Sequence, residues 1–273
     1  MKTLISSLAL TGLLALAACK TTSTQNVIYP SVHPGGRPAA EQVHARIYKP
    51  EGAGPFPAIL VLHGCDGIKQ HYEGWAEVAA SWGYVAVLVD SFTGRGFGQI
   101  CTNTADVQPD ERVLDIVGTT AYLKTLPYVK ADAIGLFGFS HGGWTIMKGV
   151  QANARLTNSG VKAAVAYYPW CDPERDGNVD LPLLILMGAA DNWTPPERCR
   201  NLKDQRRLRK PELVDMVFYD GAYHAFDIPG RTMEMLGRGE GGSITMRRVG
   251  YNAPAAIDAM KRAKAFFDTH LKP

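Results

Sequence analysis

The chain has 273 residues, of which 46% are hydrophobic, and its 29 Lys and Arg residues nearly balance its 26 Asp and Glu residues. The formal charge of +3 is too small and too evenly spread to indicate nucleic acid as a partner. The composition excludes a disordered or fibrous chain, and the length suits one large α/β domain. These bulk properties say little about the chemistry of the protein.

The N-terminus carries the features of a secretion signal. An apolar stretch over residues 4–18 has the length of a signal-peptide core and is too short to span a bilayer comfortably. It ends in Leu16-Ala17-Ala18-Cys19, which resembles the lipobox of bacterial lipoproteins, where the cysteine is lipidated. An ordinary secretory signal is the alternative, but a cysteine placed directly after small residues favours the lipoprotein.

This interpretation divides the chain into three segments. Residues 1–18 are the signal peptide, residues 19–40 are a polar tether that begins at the lipidated Cys19, and residues 41–273 are the folded domain. The protein is then expected in the bacterial cell envelope, held to a membrane by its lipid and facing the periplasm. Because Lys20 stands where an aspartate would suggest retention in the inner membrane, the outer membrane is favoured.

The remaining cysteines indicate disulfides rather than a metal site. They are Cys65, Cys101, Cys171 and Cys199, an even number that allows three pairings in an oxidising compartment. Pairing of Cys65 with Cys101 and of Cys171 with Cys199 is favoured, because each pair would join loops that leave the same end of the predicted sheet. Sequence alone does not fix this connectivity. No C-x-x-C motif occurs, so no metal is predicted.

From about residue 43 onward, apolar β-branched runs alternate with helical patterns, which predicts an α/β fold with a mostly parallel sheet and helices on both faces. The predicted strands are residues 43–48, 58–62, 84–89, 133–139, 161–168, 183–187 and 213–219. The predicted helices are residues 72–82, 110–126, 141–152, 196–208 and 254–271. The run over residues 58–62 is hydrophobic throughout, as a central parallel strand buried on both faces requires.

The strongest local motif is Gly138-Phe139-Ser140-His141-Gly142, a G-x-S-x-G sequence at the point where a predicted strand ends and a helix begins. This context is typical of a nucleophilic serine. Glycines flank Ser140 because the turn is tight, and a side chain at either position would collide with neighbouring backbone. The N-terminus of the following helix favours the negative charge that develops during acyl transfer.

A serine hydroxyl needs a base, and the base needs an acid that orients it. Asp191 follows the strand predicted over residues 183–187, and His224 follows the strand predicted over residues 213–219. Both therefore stand at carboxyl ends of strands, where open α/β sheets hold their ligands. Alternative acids are Asp172, Asp180 and Asp220, and alternative bases are His63, His71, His141 and His270. Their positions in the motif order make them weaker candidates.

The tetrahedral intermediate of acyl transfer needs hydrogen-bond donors, which backbone N–H groups provide. One is expected from His141, directly after the nucleophile, and the other from Cys65 in the loop His63-Gly64-Cys65-Asp66-Gly67. Glycines let this loop approach the oxyanion closely, and Cys65 can donate through its N–H even when its sulfur is in a disulfide. His63 itself is expected only to pack.

Together these motifs resemble the dienelactone hydrolase family from about residue 43 to the C-terminus. The likeness rests on the 63–67 loop, the Ser140 turn, the loops of Asp191 and His224, and Asp90-Ser91-Phe92 with Arg95-Gly96. The resemblance implies an α/β-hydrolase fold and hydrolysis of an ester or lactone through an acyl-enzyme, without a cofactor. Because the sequence departs from the family pattern at two places, the resemblance does not imply the dienelactone substrate itself. Ser140 replaces the family's cysteine nucleophile, and His63-Gly64-Cys65 replaces a loop that carries a glutamate.

Two further features concern the substrate. Arg95 lies in a glycine-rich loop that is interpreted as the rim of the active site, where it either contacts an anionic substrate group or is solvated. The glycine-broken apolar segment over residues 228–252 is either a lid that contacts substrate or a surface excursion without catalytic importance.

The sequence therefore predicts a serine hydrolase that cleaves a small-molecule carboxylic ester or lactone, with Ser140, Asp191 and His224 as its triad. A serine peptidase or acyltransferase on the same fold is one alternative, because the triad does not choose the scissile bond or the acceptor. A non-catalytic envelope lipoprotein that binds ligands with a hydrolase shell is the other, although such a module gains nothing evident from a complete triad.

Overall fold

The computed structural model describes residues 22–33, 38–152, 155–156, 158–204 and 206–272. The predicted signal peptide over residues 1–18 and the predicted lipidation site Cys19 lie outside these ranges. Within them, no helix is both long enough and apolar enough to cross a membrane. The same part of the chain contains no cluster of three or more His, Cys, Asp or Glu side chains that could hold a metal ion.

A central sheet dominates the described residues, with its strands in the order β1-β2-β4-β3-β5-β6-β7-β8. The strands are β1 (Ser23–Val32), β2 (Pro38–Lys49), β3 (Phe56–Leu62), β4 (Val85–Asp90), β5 (Val129–Phe139), β6 (Val161–Tyr167), β7 (Leu183–Gly188) and β8 (Val214–Tyr219). The pairs β1–β2 and β2–β4 are antiparallel, and every pair from β4 through β3 to β8 is parallel. The predicted mostly parallel sheet is thus confirmed.

Helices cover both faces of this sheet. They are α1 (Gln70–Ser81), α2 (Pro109–Leu123), α3 (His141–Gly149), α4 (Pro196–Asp204) and α5 (Ala253–Leu271). A Cβ placed at Gly135 of β5 would lie 2.8 Å from the Phe267 ring of α5, and one at Gly138 would lie 2.8 Å from Ile146 of α3. Because positions an odd number apart on a strand face opposite sides, α3 and α5 pack on opposite faces.

The polar tether predicted over residues 19–40 is wrong for residues 23–32, which form β1, and for residues 38–40, which begin β2. Tyr29 is buried against α2, with its hydroxyl 2.8 Å from Thr119 Oγ1. Ser31 is fully buried and donates a hydrogen bond to Asp115 of the same helix. An edge strand buries only one face, so its composition can be largely polar and a search for continuous apolar runs passes over it.

The segment over residues 228–252 forms an antiparallel hairpin of β9 (Thr232–Arg238) and β10 (Ile244–Gly250), which we call the roof hairpin. One end is fastened where Val249 forms a β-bridge with His224. The other end is fastened where the Arg238 N–H donates to the Cys101 carbonyl at 3.0 Å. The segment is therefore an ordered element attached to the loops above the sheet.

The disulfides of the structure are Cys65–Cys101 and Cys171–Cys199, the pairing favoured from the sequence. The first joins the loop after β3 to the segment that precedes α2. The second joins the loop after β6 to α4. Both therefore cross-link loops at the carboxyl end of the parallel strands, and they restrict the freedom of those loops in the unfolded chain.

At Gly142, α3 packs so closely on the sheet that there is no room for a side chain. A Cβ at this position would lie 2.1 Å from the Leu62 carbonyl oxygen and 2.8 Å from that of His63. Since strand and helix fix the backbone on both sides, Gly142→Ala should lower the free energy of unfolding by about 3 kcal/mol. Denaturant titration measures this value.

Gly74 is the matched control, because a Cβ at this position of α1 would meet no atom within 4 Å. Gly74→Ala should raise the free energy of unfolding by about 0.5–1 kcal/mol, since alanine costs less backbone entropy in a helix. Similar losses in the two variants would contradict the packing argument.

Candidate active site

Ser140 lies at the turn between β5 and α3, above the carboxyl edge of the sheet. Its φ of 52° lies in a region that residues other than glycine rarely adopt. A Cβ at Gly138 would lie 2.5 Å from the Gly142 carbonyl oxygen, so the flanking positions require glycine, as the sequence indicated. The Ser140 N–H donates to the Tyr167 carbonyl at 3.0 Å and anchors the turn to β6. The turn is a nucleophile elbow in its geometry.

His224 joins this serine to Asp191. The His224 Nε2 lies 2.9 Å from Ser140 Oγ, and its Nδ1 lies 2.7 Å from Asp191 Oδ2. Both His224 and Asp191 are buried, so water competes little for these bonds. With Nδ1–H donated to the carboxylate, Nε2 is left to accept the serine proton. The structure thus brings together the three residues that the sequence analysis selected.

The loop that carries Asp191 also fixes the carboxylate. Its Oδ1 accepts hydrogen bonds from the N–H groups of Trp193 and Thr194, at 2.7 and 3.0 Å. Its Oδ2 accepts a bond from the Thr194 hydroxyl at 2.9 Å, and that hydroxyl lies 3.2 Å from His224 Nδ1. Thr194 was not predicted from the sequence. The spacing of an aspartate three residues before a threonine, typical of a turn closed by the aspartate, could have identified it.

Aromatic rings pack against the imidazole of His224. The ring centroids of Tyr168 and Trp193 lie 4.6 and 5.0 Å from it. The Tyr168 hydroxyl donates to one oxygen of buried Asp227 at 2.7 Å, and Trp75 Nε1 donates to the other at 2.8 Å. Burial raises the pKa of Asp227, against the effect of these two hydrogen bonds. The imidazole of His224 is therefore held by packing as well as by its hydrogen bond to Asp191.

The loop after β3 runs directly beside the nucleophile. A Cβ at Gly64 would lie 3.5 Å from the Ser140 Cβ. The Gly64 N–H donates to the Tyr72 hydroxyl at 2.9 Å, and that hydroxyl donates to Asp66 Oδ1 at 2.7 Å. Tyr72, which the sequence analysis missed, therefore braces the loop that was predicted to supply an oxyanion donor. The next residue of this loop, Cys65, lines the space beside the serine.

Two rival histidines are buried and form bonds away from the nucleophile. His63 Nδ1 donates to the Gly64 carbonyl at 2.7 Å, and its Nε2 accepts from the Ser91 N–H at 3.3 Å. His141 Nδ1 accepts from Arg112 Nη1 at 2.9 Å. Burial, together with the positive charge of Arg112, lowers the pKa of both imidazoles well below the ordinary value. They are neutral structural groups, as was expected for His63.

Because His63 and His141 are neutral in the folded protein, we expect acid to destabilise the fold. Their pKa values in the folded protein lie below the value of about 6.5 in an unfolded chain. The unfolded chain binds more protons below that pH, so stability present above about pH 6.5 is lost as the pH falls toward the folded values. Each histidine should lower the free energy of unfolding by about 1.4 kcal/mol per pH unit in this window.

Denaturant titrations between pH 7 and pH 5 measure this loss of stability. The dependence should be weaker in His63→Gln, which removes one of these groups, while His71, whose pKa burial lowers to about 4, contributes in the same direction to both proteins. A free energy of unfolding that stays constant over this range would contradict the placement of two neutral imidazoles in the core.

The structure corrects the interpretation of Arg95, which is neither solvated nor directed at the nucleophile. Its guanidinium donates to both carboxylate oxygens of Asp115 at 2.9 Å, and to the Ser91 carbonyl at 2.6 Å. The Arg95 side chain is 8% exposed and that of Asp115 is fully buried. Because the guanidinium is engaged in a buried bidentate ion pair, Arg95 holds the loop after β4 to α2 and does not contact substrate.

Two cavities open beside Ser140. The smaller, of about 30 Å³, is lined by residues that include His224, Ala225, Ile228, Met235 and Val249. The larger, of about 250 Å³, is lined by residues that include His141, Trp144, Trp170, Trp193, Gly239 and Gly242. Cys65, Ser140 and Trp193 line both. The roof hairpin contributes to each wall, so the segment over residues 228–252 borders the site and is not a remote excursion.

Solved structures share the fold of this chain. Its structure superposes on that of a protein assigned as a dienelactone hydrolase from Klebsiella pneumoniae with a TM-score of 0.68 at 20% identity, covering 90% of this chain and 100% of the other. A dienelactone hydrolase-like promiscuous phosphotriesterase from metagenomic libraries gives a TM-score of 0.70 at 19% identity, covering 91% and 98%. At this identity the likeness shows the fold.

Sequence similarity gives the family. The chain is 26% identical to a protein assigned as a carboxymethylenebutenolidase from Synechocystis sp., over 85% of this chain and 93% of the relative. It is 25% identical to a protein assigned as a 2-oxo-3-(5-oxofuran-2-ylidene)propanoate lactonase from Bradyrhizobium sp., over 67% of this chain and 78% of the relative. Residues 43–271 match the dienelactone hydrolase family. The protein therefore belongs to the dienelactone hydrolase family and is a hydrolase of ester or lactone substrates.

Proposed function

We propose that the protein is a serine hydrolase that cleaves a carboxylic ester or lactone through an acyl-enzyme on Ser140. The observation that carries the proposal is the hydrogen-bonded chain from Asp191 through His224 to Ser140 Oγ, with links of 2.7 and 2.9 Å. The relatives assigned as a carboxymethylenebutenolidase and as a lactonase support an ester or lactone as the scissile bond.

In this mechanism Ser140 Oγ attacks the carbonyl carbon while its proton passes to His224 Nε2. Asp191 stabilises the imidazolium and keeps the Nδ1 proton in place. The oxyanion accepts hydrogen bonds from the N–H groups of Cys65 and His141, which both line the larger cavity beside the serine. His224 returns its proton to the leaving alkoxide oxygen, and the C–O bond breaks. Water then repeats the steps on the acyl-enzyme and releases the acid.

A buried cation adds to the positive potential on the oxyanion side. Arg112 is 1% exposed and contacts the His141 ring, at the N-terminus of α3. Burial lowers the pKa of Arg112 to about 10, so the group remains charged at neutral pH. Positive charge in a water-poor region and the helix N-terminus act in the same direction on a developing oxyanion.

We also propose that the mature protein is lipidated at Cys19 and faces the periplasm, with the outer membrane as its site. Two disulfides support an oxidising compartment, because cytosolic thiols are kept reduced. Metabolic labelling of expressing cells with a fatty-acid analogue should mark the native protein and not Cys19→Ser. Equal labelling of the two would overturn this assignment.

The hydrolase proposal is tested with a fluorophosphonate, which reacts with activated serines. Peptide mass analysis should find one adduct, on Ser140, and the adduct should be lost in His224→Ala. His270→Ala is the matched control, because His270 lies on α5 and packs against Phe266. That variant should be labelled as the native protein is. Absence of an adduct on folded native protein would overturn the proposal.

A further inference from the structure

The two cavities beside Ser140 divide a bound ester into an acyl side and an alcohol side. The larger cavity is lined by the indole rings of Trp144 and Trp170, the smaller by His224 with Tyr72 and Tyr168, and Trp193 borders both. We propose that the larger cavity binds the acyl group and takes an aromatic ring, so that the substrates are esters of aryl-substituted carboxylic acids with small alcohols. This inference rests on the proposed serine hydrolase mechanism.

Proton transfer decides which cavity takes which half of the ester. His224 must protonate the leaving alkoxide oxygen, so the alcohol has to lie within reach of its Nε2. Among the described residues, His224 borders the smaller cavity and does not border the larger one. In the proposed mechanism the carbonyl oxygen points to the N–H groups of Cys65 and His141, and of these two residues Cys65 borders both cavities while His141 borders the larger one alone. The acyl chain therefore extends into the larger cavity.

Size supports the same assignment. A cavity of about 150 Å³ in a protein core accommodates benzene. The larger cavity, at about 250 Å³, has room for a phenyl ring and a short chain that joins it to the carbonyl. The smaller cavity, at about 30 Å³, has room for about two water-sized groups, which suits methanol or ethanol as the alcohol.

The walls of the larger cavity favour a flat ring. The Trp144 and Trp170 centroids are 6.4 Å apart with their planes at 54°, so the two indoles form an angled wall. The guanidinium of Arg198 lies 4.3 Å from the centroid of the Trp170 ring and supports that ring. Trp193 Nε1 donates to the Arg238 carbonyl at 3.1 Å. Trp170 and Trp193 are thus braced, and together with Trp144 they offer faces and edges to an aromatic ring at little entropic cost.

The charged groups that border the larger cavity do not favour an anionic acyl group. Arg238 borders it, and its guanidinium donates to the backbone carbonyls of Thr102 and Gly242 at 3.2 and 2.9 Å. The other residues that border the cavity in the described part of the chain carry indole, imidazole, hydroxyl or no side-chain functional group, apart from the disulfide sulfur of Cys65. A neutral ring therefore matches this lining better than a carboxylate does.

Two isomeric esters test the assignment. Methyl phenylacetate carries its ring on the acyl side and benzyl acetate carries it on the alcohol side, while both release a simple primary alkoxide. We expect kcat/KM to be about 10-fold or more higher for methyl phenylacetate, because only the larger cavity admits the ring. Methyl cyclohexylacetate, which has a saturated ring, should be cleaved about 3-fold less efficiently than methyl phenylacetate.

A pair of tryptophan variants links the preference to the cavity. Trp170→Leu should move the ratio of the two kcat/KM values toward one, since it removes one wall. Trp82→Leu is the matched control, because Trp82 caps the C-terminus of α1 and bonds through its carbonyl to Lys272, at the other end of the sheet. That variant should keep the native ratio. The preference of the native protein remains a test even where a variant fails to fold.

The outcomes separate this inference from the hydrolase proposal. An equal or reversed preference between the isomers, with Ser140 still labelled by a fluorophosphonate, would overturn the placement of the acyl group and leave the hydrolase standing. Equal cleavage of the phenyl and cyclohexyl esters would overturn the aromatic selection. Loss of both fluorophosphonate labelling and ester turnover in folded native protein would overturn both proposals.

Discussion

Ser140→Ala should lower kcat/KM for any ester substrate by about 10⁴-fold or more, with little change in the free energy of unfolding. The substitution removes the Oγ that lies 2.9 Å from His224 Nε2, and with it the atom that forms the covalent intermediate. Alanine retains the Cβ of serine, so the turn at φ 52° is no more strained than before. Initial rates on a chromogenic acetate and denaturant titration measure the two quantities.

Ser91→Ala is the matched control for this substitution. Ser91 is also buried at the carboxyl end of the sheet, and its hydroxyl has no hydrogen-bond partner among the described residues. Its N–H, which bonds to His63, is unchanged in the variant. We expect kcat/KM within about 3-fold of the native value. A Ser140→Ala protein that keeps a tenth of native activity would exclude this serine as the nucleophile.

The central sheet could be predicted because its parallel strands are buried on both faces. β3, for example, has its last six residues buried, and such a run stands out in the sequence. β1 could not be predicted in the same way. Tyr29 and Ser31 face α2, while residues 23–26 are exposed, so the strand is distinguished by what it packs against and not by its own hydrophobicity.

The order of the motifs made the Ser140, His224 and Asp191 cluster predictable. In a parallel sheet the carboxyl ends of successive strands meet at one edge, so residues far apart in the chain converge there. Side-chain contacts that depend on how a particular helix packs could not be predicted from the sequence. Arg95 illustrates this, because its ion pair with Asp115 requires the orientation of α2. The sequence showed an arginine in a glycine-rich loop and nothing of that contact.

The cavities were also beyond the sequence analysis. Trp144 comes from α3, Trp170 from the loop after β6, and Trp193 from the loop after β7. The three residues lie in separate segments of the chain, and only the fold brings their rings together. The Cys171–Cys199 disulfide contributes to this arrangement, because it holds the loop of Trp170 against α4.

Asp191→Asn should lower kcat by about 10⁴-fold, through the tautomer of His224. The N–H groups of Trp193 and Thr194 both donate to Oδ1, so the amide oxygen of asparagine must take that position. The amide NH₂ then occupies the Oδ2 position, 2.7 Å from His224 Nδ1, and donates to it. The imidazole proton is thereby moved to Nε2, which can no longer accept the proton of Ser140.

Asp227→Asn is the matched control, because it makes the same isosteric change in another buried carboxylate near His224. The donors to Asp227 are the Tyr168 hydroxyl and Trp75 Nε1, and a hydroxyl can turn to accept a bond from the new NH₂. We expect a loss in kcat below about 10-fold, since the tautomer of His224 is untouched. Steady-state rates of the two variants decide the matter. If both lose activity to the same extent, Asp191 acts by packing around the imidazole and not by holding the proton on Nδ1.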